Sequence, residues 1–231
     1  MQTLHRFPTP DALYDGAADL VVVRIQEAIT ERGRCSIALA GGSTPKALYE
    51  RLAAAPRSEQ ISWRKVTIWF GDERCVRPDN PASNFRMANE ALLGRVPLQY
   101  HHIHRIEGEL SPDVAAEKYA ALLAARPPLD IVLLGMGDDG HTASIFPGTP
   151  DPDPEARVIA TKSPIEPTDR VTLTLRTISE ARSVYFLVSG AGKAARLAEV
   201  LAQRGSGAPS LPSARVAAAN VTFLVDAAAH P

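Results

Sequence analysis

Four times along this chain a short apolar run stops at a polar, glycine-bearing turn. Ser36-Ile37-Ala38-Leu39-Ala40 runs into Gly41-Gly42-Ser43-Thr44-Pro45, and Val66-Thr67-Ile68-Trp69-Phe70 runs into Gly71-Asp72-Glu73-Arg74. Asp130-Ile131-Val132-Leu133-Leu134 ends in Gly135-Met136-Gly137-Asp138-Asp139-Gly140-His141, and residues 183–188 end in Ser189-Gly190-Ala191-Gly192-Lys193. Unbroken apolar runs of about five residues are what strands covered on both faces require, and parallel sheets supply such strands. Helical periods lie between them. Leu13, Ala17, Leu20, Val21, Ile25, Ala28 and Ile29 share one face over residues 11–32, with Gly33 as the stop. Further helices are predicted after Pro45 (Leu48 and Leu52 on one face), over 84–93, over 112–125 and over 194–203. Strands alternating with helices predict an α/β fold in one domain over residues 1–231. Its form is a three-layer sandwich, Rossmann-like, with a mostly parallel central sheet flanked by helices. Additional strands are predicted over 100–106, 158–160, 170–175 and 221–225, and loops over 78–81, 148–169 and 205–212.

Open sheets of this kind place ligands beyond the carboxyl ends of their strands, so the glycine turns are where chemistry is expected. His141, delivered by a turn holding three glycines and two carboxylates, is a candidate for proton transfer. Gly41-Gly42-Ser43-Thr44-Pro45 forms a strand-turn-helix start whose free N–H groups and dipole favour an anion. It lacks the spacing of a Walker loop. GMGDDG over 135–140 matches the dinucleotide pattern G-x-G-x-x-G, but the prolines at 147, 150, 152 and 154 deny it the helix that pattern needs.

Other chemistries find little support. There is no G-x-S-x-G elbow and no H-E-x-x-H. His102 and His104 alternate along the predicted strand without a third ligand, so they are taken as surface or packing residues and no metal or organic cofactor is expected. A formal net charge of -1 on 231 residues gives no electrostatic case for nucleic acid or a membrane surface. Cys35 and Cys75 are too few for a disulfide framework. With no apolar leader and no run of transmembrane length, a cytoplasmic protein, monomeric or weakly homodimeric, is expected.

Several ordered blocks resemble the 6-phosphogluconolactonases of the pentose phosphate pathway. They are LAGGSTPKALYERL (39–52), IWFGDERCV (68–76), SNFRMA (83–88), LLGMGDDGHTASIFPG (133–148), RVTLTL (170–175) and VSGAGKA (188–194). The resemblance implies the sandwich fold shared with glucosamine-6-phosphate deaminases and ribose-5-phosphate isomerases. It implies hydrolysis of a phosphosugar lactone, 6-phospho-D-glucono-1,5-lactone, with His141 as general base for water. By the same resemblance Asp139 orients the turn or touches sugar hydroxyls, and Arg74 stabilises the lactone oxyanion or binds phosphate. Gly41, Gly42, Ser43, Thr44 and Asp72 match substrate-binding positions, and Arg170 and Lys193 match basic positions that hold the phosphate. Asp138 departs from the proline of many relatives; a carboxylate there could repel the anionic substrate or act on His141.

Two other readings are carried. A glucosamine-6-phosphate deaminase or isomerase would share the glycine-serine loop and Asp139-Gly140-His141, but Phe146 stands where its catalytic glutamate is expected. A non-catalytic sugar-phosphate-binding module would keep Ser43, Arg170 and Lys193 without needing His141. Cys75, beside Arg74, is expected to be an inert thiol.

Overall fold

The computed structural model describes residues 2–204 and 206–230 and alternates strand and helix along most of its length. In chain order the strands are β1 (Gln2–Phe7), β2 (Cys35–Leu39), β3 (Val66–Phe70), β4 (Asp72–Arg74), β5 (Ile131–Gly135), β6 (Val158–Lys162), β7 (Asp169–Leu173), β8 (Ser183–Val188) and β9 (Asn220–Asp226). The helices are α1 (Pro10–Arg32), α2 (Ser43–Ala53), α3 (Arg57–Gln60), α4 (Asn84–Ala91), α5 (Pro112–Ala124), α6 (Leu175–Ser179), α7 (Ala194–Arg204) and α8 (Pro212–Arg215). Local chemistry sets their limits. Thr9 caps α1 by accepting from the Ala12 N–H, Pro10 opens it, and Gly33 closes it in the left-handed region at φ +74°.

Six strands form the central sheet in the order β1-β9-β8-β5-β2-β3, every pair parallel. Burial follows the apolar runs. Val132, Leu133 and Leu134 of β5 are fully buried, and the Phe186 and Phe223 rings of β8 and β9 stack with centroids 4.6 Å apart. After β2 the chain moves outward to β3; from β5 it moves the opposite way, to β8 and β9. The connections above β2 and β5 therefore part, and such a parting leaves a crevice at the strand ends.

The structure departs from the sequence expectations at four places. Gln2–Phe7 is a strand although it lacks an apolar run; as an edge strand pairing only with β9 it stays largely exposed. A second, antiparallel sheet, β4-β7-β6, stands apart from the parallel one, so Asp72-Glu73-Arg74 is strand and not loop. Residues 100–106 are not a strand. Tyr100–His102 is a 3-10 turn with Tyr100 exposed, and only Ile103 bridges to Ile68, so the segment has no face to bury in a sheet. Strand β7 ends at Leu173 because Thr174 caps α6, accepting from the Thr177 N–H; threonine suits a strand and a helix cap equally, and the alternating pattern hid the change. Among the described residues no helix is long and apolar enough to cross a membrane.

One buried acid ties the second sheet to the helical layer. Glu73 accepts from the N–H groups of Arg74 (2.8 Å), Asn84 (2.7 Å) and Phe85 (2.8 Å) and from the Ser83 hydroxyl (3.0 Å), so it caps α4 from a distant strand. Glu73→Ala leaves those donors buried and unmatched and is expected to cost about 3 kcal/mol. Urea denaturation measures the loss, and Glu73→Gln, which keeps one acceptor oxygen, should lose less.

Candidate active site

The turn after β5 is closed twice, by the Gly140 N–H on the Gly137 carbonyl (3.0 Å) and by the Gly137 N–H on the His141 carbonyl (2.9 Å). Gly137 must be glycine: a Cβ there would lie 2.0 Å from His141 Nδ1. The His141 ring thus lies directly over the backbone of its own turn. Its Nδ1 is 2.6 Å from Asp139 Oδ1, which also accepts the His141 backbone N–H at 3.0 Å. A carboxylate at Nδ1 selects the tautomer protonated there and leaves Nε2 as the free acceptor. Burial is the largest influence on Asp139 and pushes its carboxyl up, but the hydrogen bonds and charge of His141 together outweigh it and hold the group below its ordinary value. The Phe146 ring covers one side of the imidazole, centroids 4.7 Å apart. Ala143, two residues on, takes φ +49°, a left-handed conformation that costs a non-glycine residue roughly 1 kcal/mol or more.

The other walls come from the neighbouring strand ends. Gly42 caps α2 at φ +101° without a side-chain hydrogen bond, and the first amides of the helix, those of Ser43 and Thr44, have no intrahelical acceptor. A Cβ on Gly41 would sit 2.0 Å from Asn84 Oδ1, so the backbone of this loop packs directly on the Asn84 side chain of α4. Asn84 Nδ2 donates to the carbonyl and Oδ1 of Asp72 (3.0 and 3.1 Å), and the Ser144 hydroxyl donates to Asp72 Oδ2 at 2.6 Å. That hydrogen-bond chain links three segments, and the Gly41 loop packs on its Asn84 end. Arg74 donates from Nη1 to the Ala82 carbonyl (2.6 Å), while its buried Nε has no hydrogen-bond partner among the described residues. On the β8 side Asp226, fully buried, accepts from the Ser189 hydroxyl (2.5 Å) and the Gly190 and Ala229 N–H groups (3.0 and 2.7 Å). This holds the turn that carries Lys193, whose Nζ lies 2.5 Å from Asp138 Oδ1.

These walls enclose a cleft of about 340 Å³ above the parting of β2 and β5. Gly41, Gly42, Ser43, Thr44, Asp72, Arg74, His141 and Lys193 all line it. Asp139 stands behind His141 as its hydrogen-bond partner. Arg170 is not in the lining. It lies opposite Arg74 on β7, 6% exposed, with Nη2 weakly bound to Ser163 Oγ and the Ile165 carbonyl and Nε unpartnered. Burial, then the charge of Arg74, lowers its pKa against the opposing pull of Asp72 and Glu73; paired with Arg74 across β4 and β7 but outside the lining, it stands behind the wall. Asn84 and Ser189 also line the cleft; both fall in the motif blocks, whereas Asp226, at the end of a plain strand, gave no signal. The Asp138 carboxylate faces Lys193. Cys75 is pushed up to about 11 by burial first and by Asp169 and Glu73 after it, so the thiol stays protonated at neutral pH. The His104 ring packs on Trp69 at 4.3 Å. Among the described residues no three His, Cys, Asp or Glu side chains are grouped to hold a metal ion.

Chemically, the cleft offers an oriented base, two cationic side chains and a helix N-terminus to one small anionic molecule. The relatives agree with that character. A curated 6-phosphogluconolactonase of Nostoc sp. is 41% identical over 210 residues, spanning 87% of this chain and 85% of its own. The solved 6-phosphogluconolactonase of Trypanosoma brucei superposes with a TM-score of 0.85 at 33% identity over 99% of this chain and 97% of its own. A monomeric glucosamine-6-phosphate deaminase superposes equally well, TM-score 0.85 over 98% of both chains, but at 22% identity it shares the fold alone. The sequence profile described as glucosamine-6-phosphate isomerases/6-phosphogluconolactonase matches residues 8–225, and the chain belongs to that family.

Proposed function

We propose that this protein hydrolyses 6-phospho-D-glucono-1,5-lactone to 6-phospho-D-gluconate, the second step of the oxidative pentose phosphate pathway. The observation that carries the reading is that a carboxylate-held imidazole and the anion-binding groups share one cleft. The phosphate sits on the Ser43 and Thr44 amides and the Lys193 ammonium, where charge-assisted hydrogen bonds are strong. Asp72 and Asn84 receive sugar hydroxyls. The lactone carbonyl then lies between His141 and Arg74.

His141 Nε2 takes a proton from water as the water oxygen bonds to C1, and the carbonyl electrons move onto oxygen. Asp139 stabilises the imidazolium that forms. A positioned base of this kind contributes about 10² to 10⁴-fold. Arg74 faces the tetrahedral oxyanion, and Arg170 behind it adds to the positive potential; a donor so placed contributes about 10² to 10³-fold. As the C1–O carbonyl re-forms, the ring C1–O5 bond breaks, and the imidazolium returns its proton to O5. The scheme uses neither metal nor organic cofactor.

The deaminase reading is disfavoured by Phe146, whose ring lies against His141 where an acid would be needed. A passive sugar-phosphate sensor is disfavoured by the Asp139–His141 pair, which binding alone does not require. We place the enzyme in the cytoplasm, where its two free thiols fit a reducing medium. Of its exposed large apolar side chains, Leu4, Val23, Tyr100 and Ile165 lie on separate segments and only Val114 and Leu122 share one, α5, which fits a monomer or weak homodimer.

Freshly prepared lactone should be hydrolysed faster than it opens spontaneously. His141→Ala should lose about 10² to 10⁴-fold in kcat with 6-phosphogluconate binding retained; binding without acceleration in the wild type would instead establish the sensor. In Asp139→Asn the tautomer is no longer fixed, and kcat should fall about 10²-fold with KM little changed. Stability follows the depressed Asp139 pKa. Its contribution is present above the ordinary aspartate pKa and is lost as pH falls through the folded-state value, so wild type and Asp139→Asn should differ in urea midpoint at neutral pH and converge in acid.

A further inference from the structure

One turn holds both functional ends of the cleft. Asp138 and Asp139 are the two central residues of the Gly137–Gly140 turn, and their side chains diverge. Asp139 goes to His141; Asp138 goes to Lys193, Oδ1 to Nζ 2.5 Å. The Asp138 backbone is held as well, since Arg196 Nε donates to its carbonyl at 3.0 Å from the first turns of α7. Arg196 is itself paired with Glu199, so its charge is already matched. Among the described residues Lys193 is the one cleft-lining Lys or Arg paired with a carboxylate; Arg74 instead donates to a carbonyl.

We infer that Asp138 is a specificity-determining residue that competes with the substrate's phosphate for Lys193. The inference rests on the lactonase reading for the identity of the anion. Lys193 Nζ lines the cleft with a carboxylate already against it, so an incoming phosphate must displace that contact or share the ammonium with it. Because Arg196 pins the Asp138 backbone, the displaced carboxylate stays near and repels a dianion in either case. The side chain of Asp138 is 81% exposed, so water and salt screen the repulsion and limit its size. The device weakens the hold on the phosphorylated product, which carries the same phosphate as the substrate, without touching the base that does the chemistry. It also ties phosphate arrival to the turn that carries His141.

The test is Asp138→Asn in the full chain, an exposed and nearly isosteric change. Calorimetric titration with 6-phosphogluconate at low salt should show binding tightened by about 3- to 10-fold, shrinking at high salt. KM for the phosphorylated lactone should fall by a similar factor with kcat within about two-fold, while unphosphorylated glucono-1,5-lactone shows no such gain. In a Lys193→Ala background the effect of Asp138→Asn should vanish, since no ammonium is left to contest. Product binding that is unchanged, weaker or undetectable in both forms overturns the inference, as does an equal gain on the unphosphorylated lactone. Turnover by the wild type is read separately: tightened binding without any lactone hydrolysis would sink the lactonase reading and leave the competition standing.

Discussion

The parting of the chain on either side of β2 and β5 is the constraint from which the rest follows. Parallel strands buried on both faces cannot carry polar side chains along their length, so the polar groups collect in the turns at their ends. Where neighbouring connections run in opposite directions those turns have no helix packed between them, and a crevice opens. His141 leaves β5 at that point, Ser43 leaves β2, Arg74 follows β3 and Lys193 follows β8. The strand ends behind Lys193 and Arg74 are three spacings apart, roughly 14 Å, which spans a phosphorylated six-carbon ring.

Holding such turns still falls to buried acids. Glu73 gathers the start of α4 and the Arg74 backbone, Asp226 gathers the Lys193 turn, and Asp72 sits between Asn84 and Ser144. At the opposite end of the sheet Asp130 accepts from the Ser36 N–H and hydroxyl (2.8 and 2.9 Å) and from Arg32 Nε (2.9 Å), joining β2, β5 and α1. Each is a carboxylate whose oxygens are occupied by donors from distant segments, the condition under which a buried charge is tolerated. Arg170 is the exception. Its buried guanidinium makes only long contacts, from Nη2 to Ser163 Oγ and the Ile165 carbonyl, its Nε has no hydrogen-bond partner among the described residues, and the nearby Asp72 and Glu73 carboxyls offset part of the repulsion from Arg74.

Much of this could be read from the residues. The apolar runs marked five of the six central strands because their burial on two faces leaves no other composition. The glycine turns marked the site because close approach and positive φ restrict those positions, as Gly137 under His141 and Gly42 at the start of α2 illustrate. Edge strand β1 escaped, since a strand paired on one side and open to solvent needs no apolar pattern. The 100–106 segment misled for the converse reason: alternation was present, but the lone bridge at Ile103 gave it no sheet to alternate against.

By itself the sequence determined the layer architecture, the anion-ready start of α2 and the histidine on its turn. These depend on backbone sterics and on the separation of apolar from polar residues along short windows. Only the tertiary structure decided which groups meet. It put Arg170 behind Arg74 instead of in the cleft wall, turned Asp138 to Lys193 and Asp139 to His141, and brought Asp226 under the Lys193 turn. Those pairings join residues as much as 96 positions apart, or neighbours whose side chains diverge, and a linear pattern carries no record of where two side chains point.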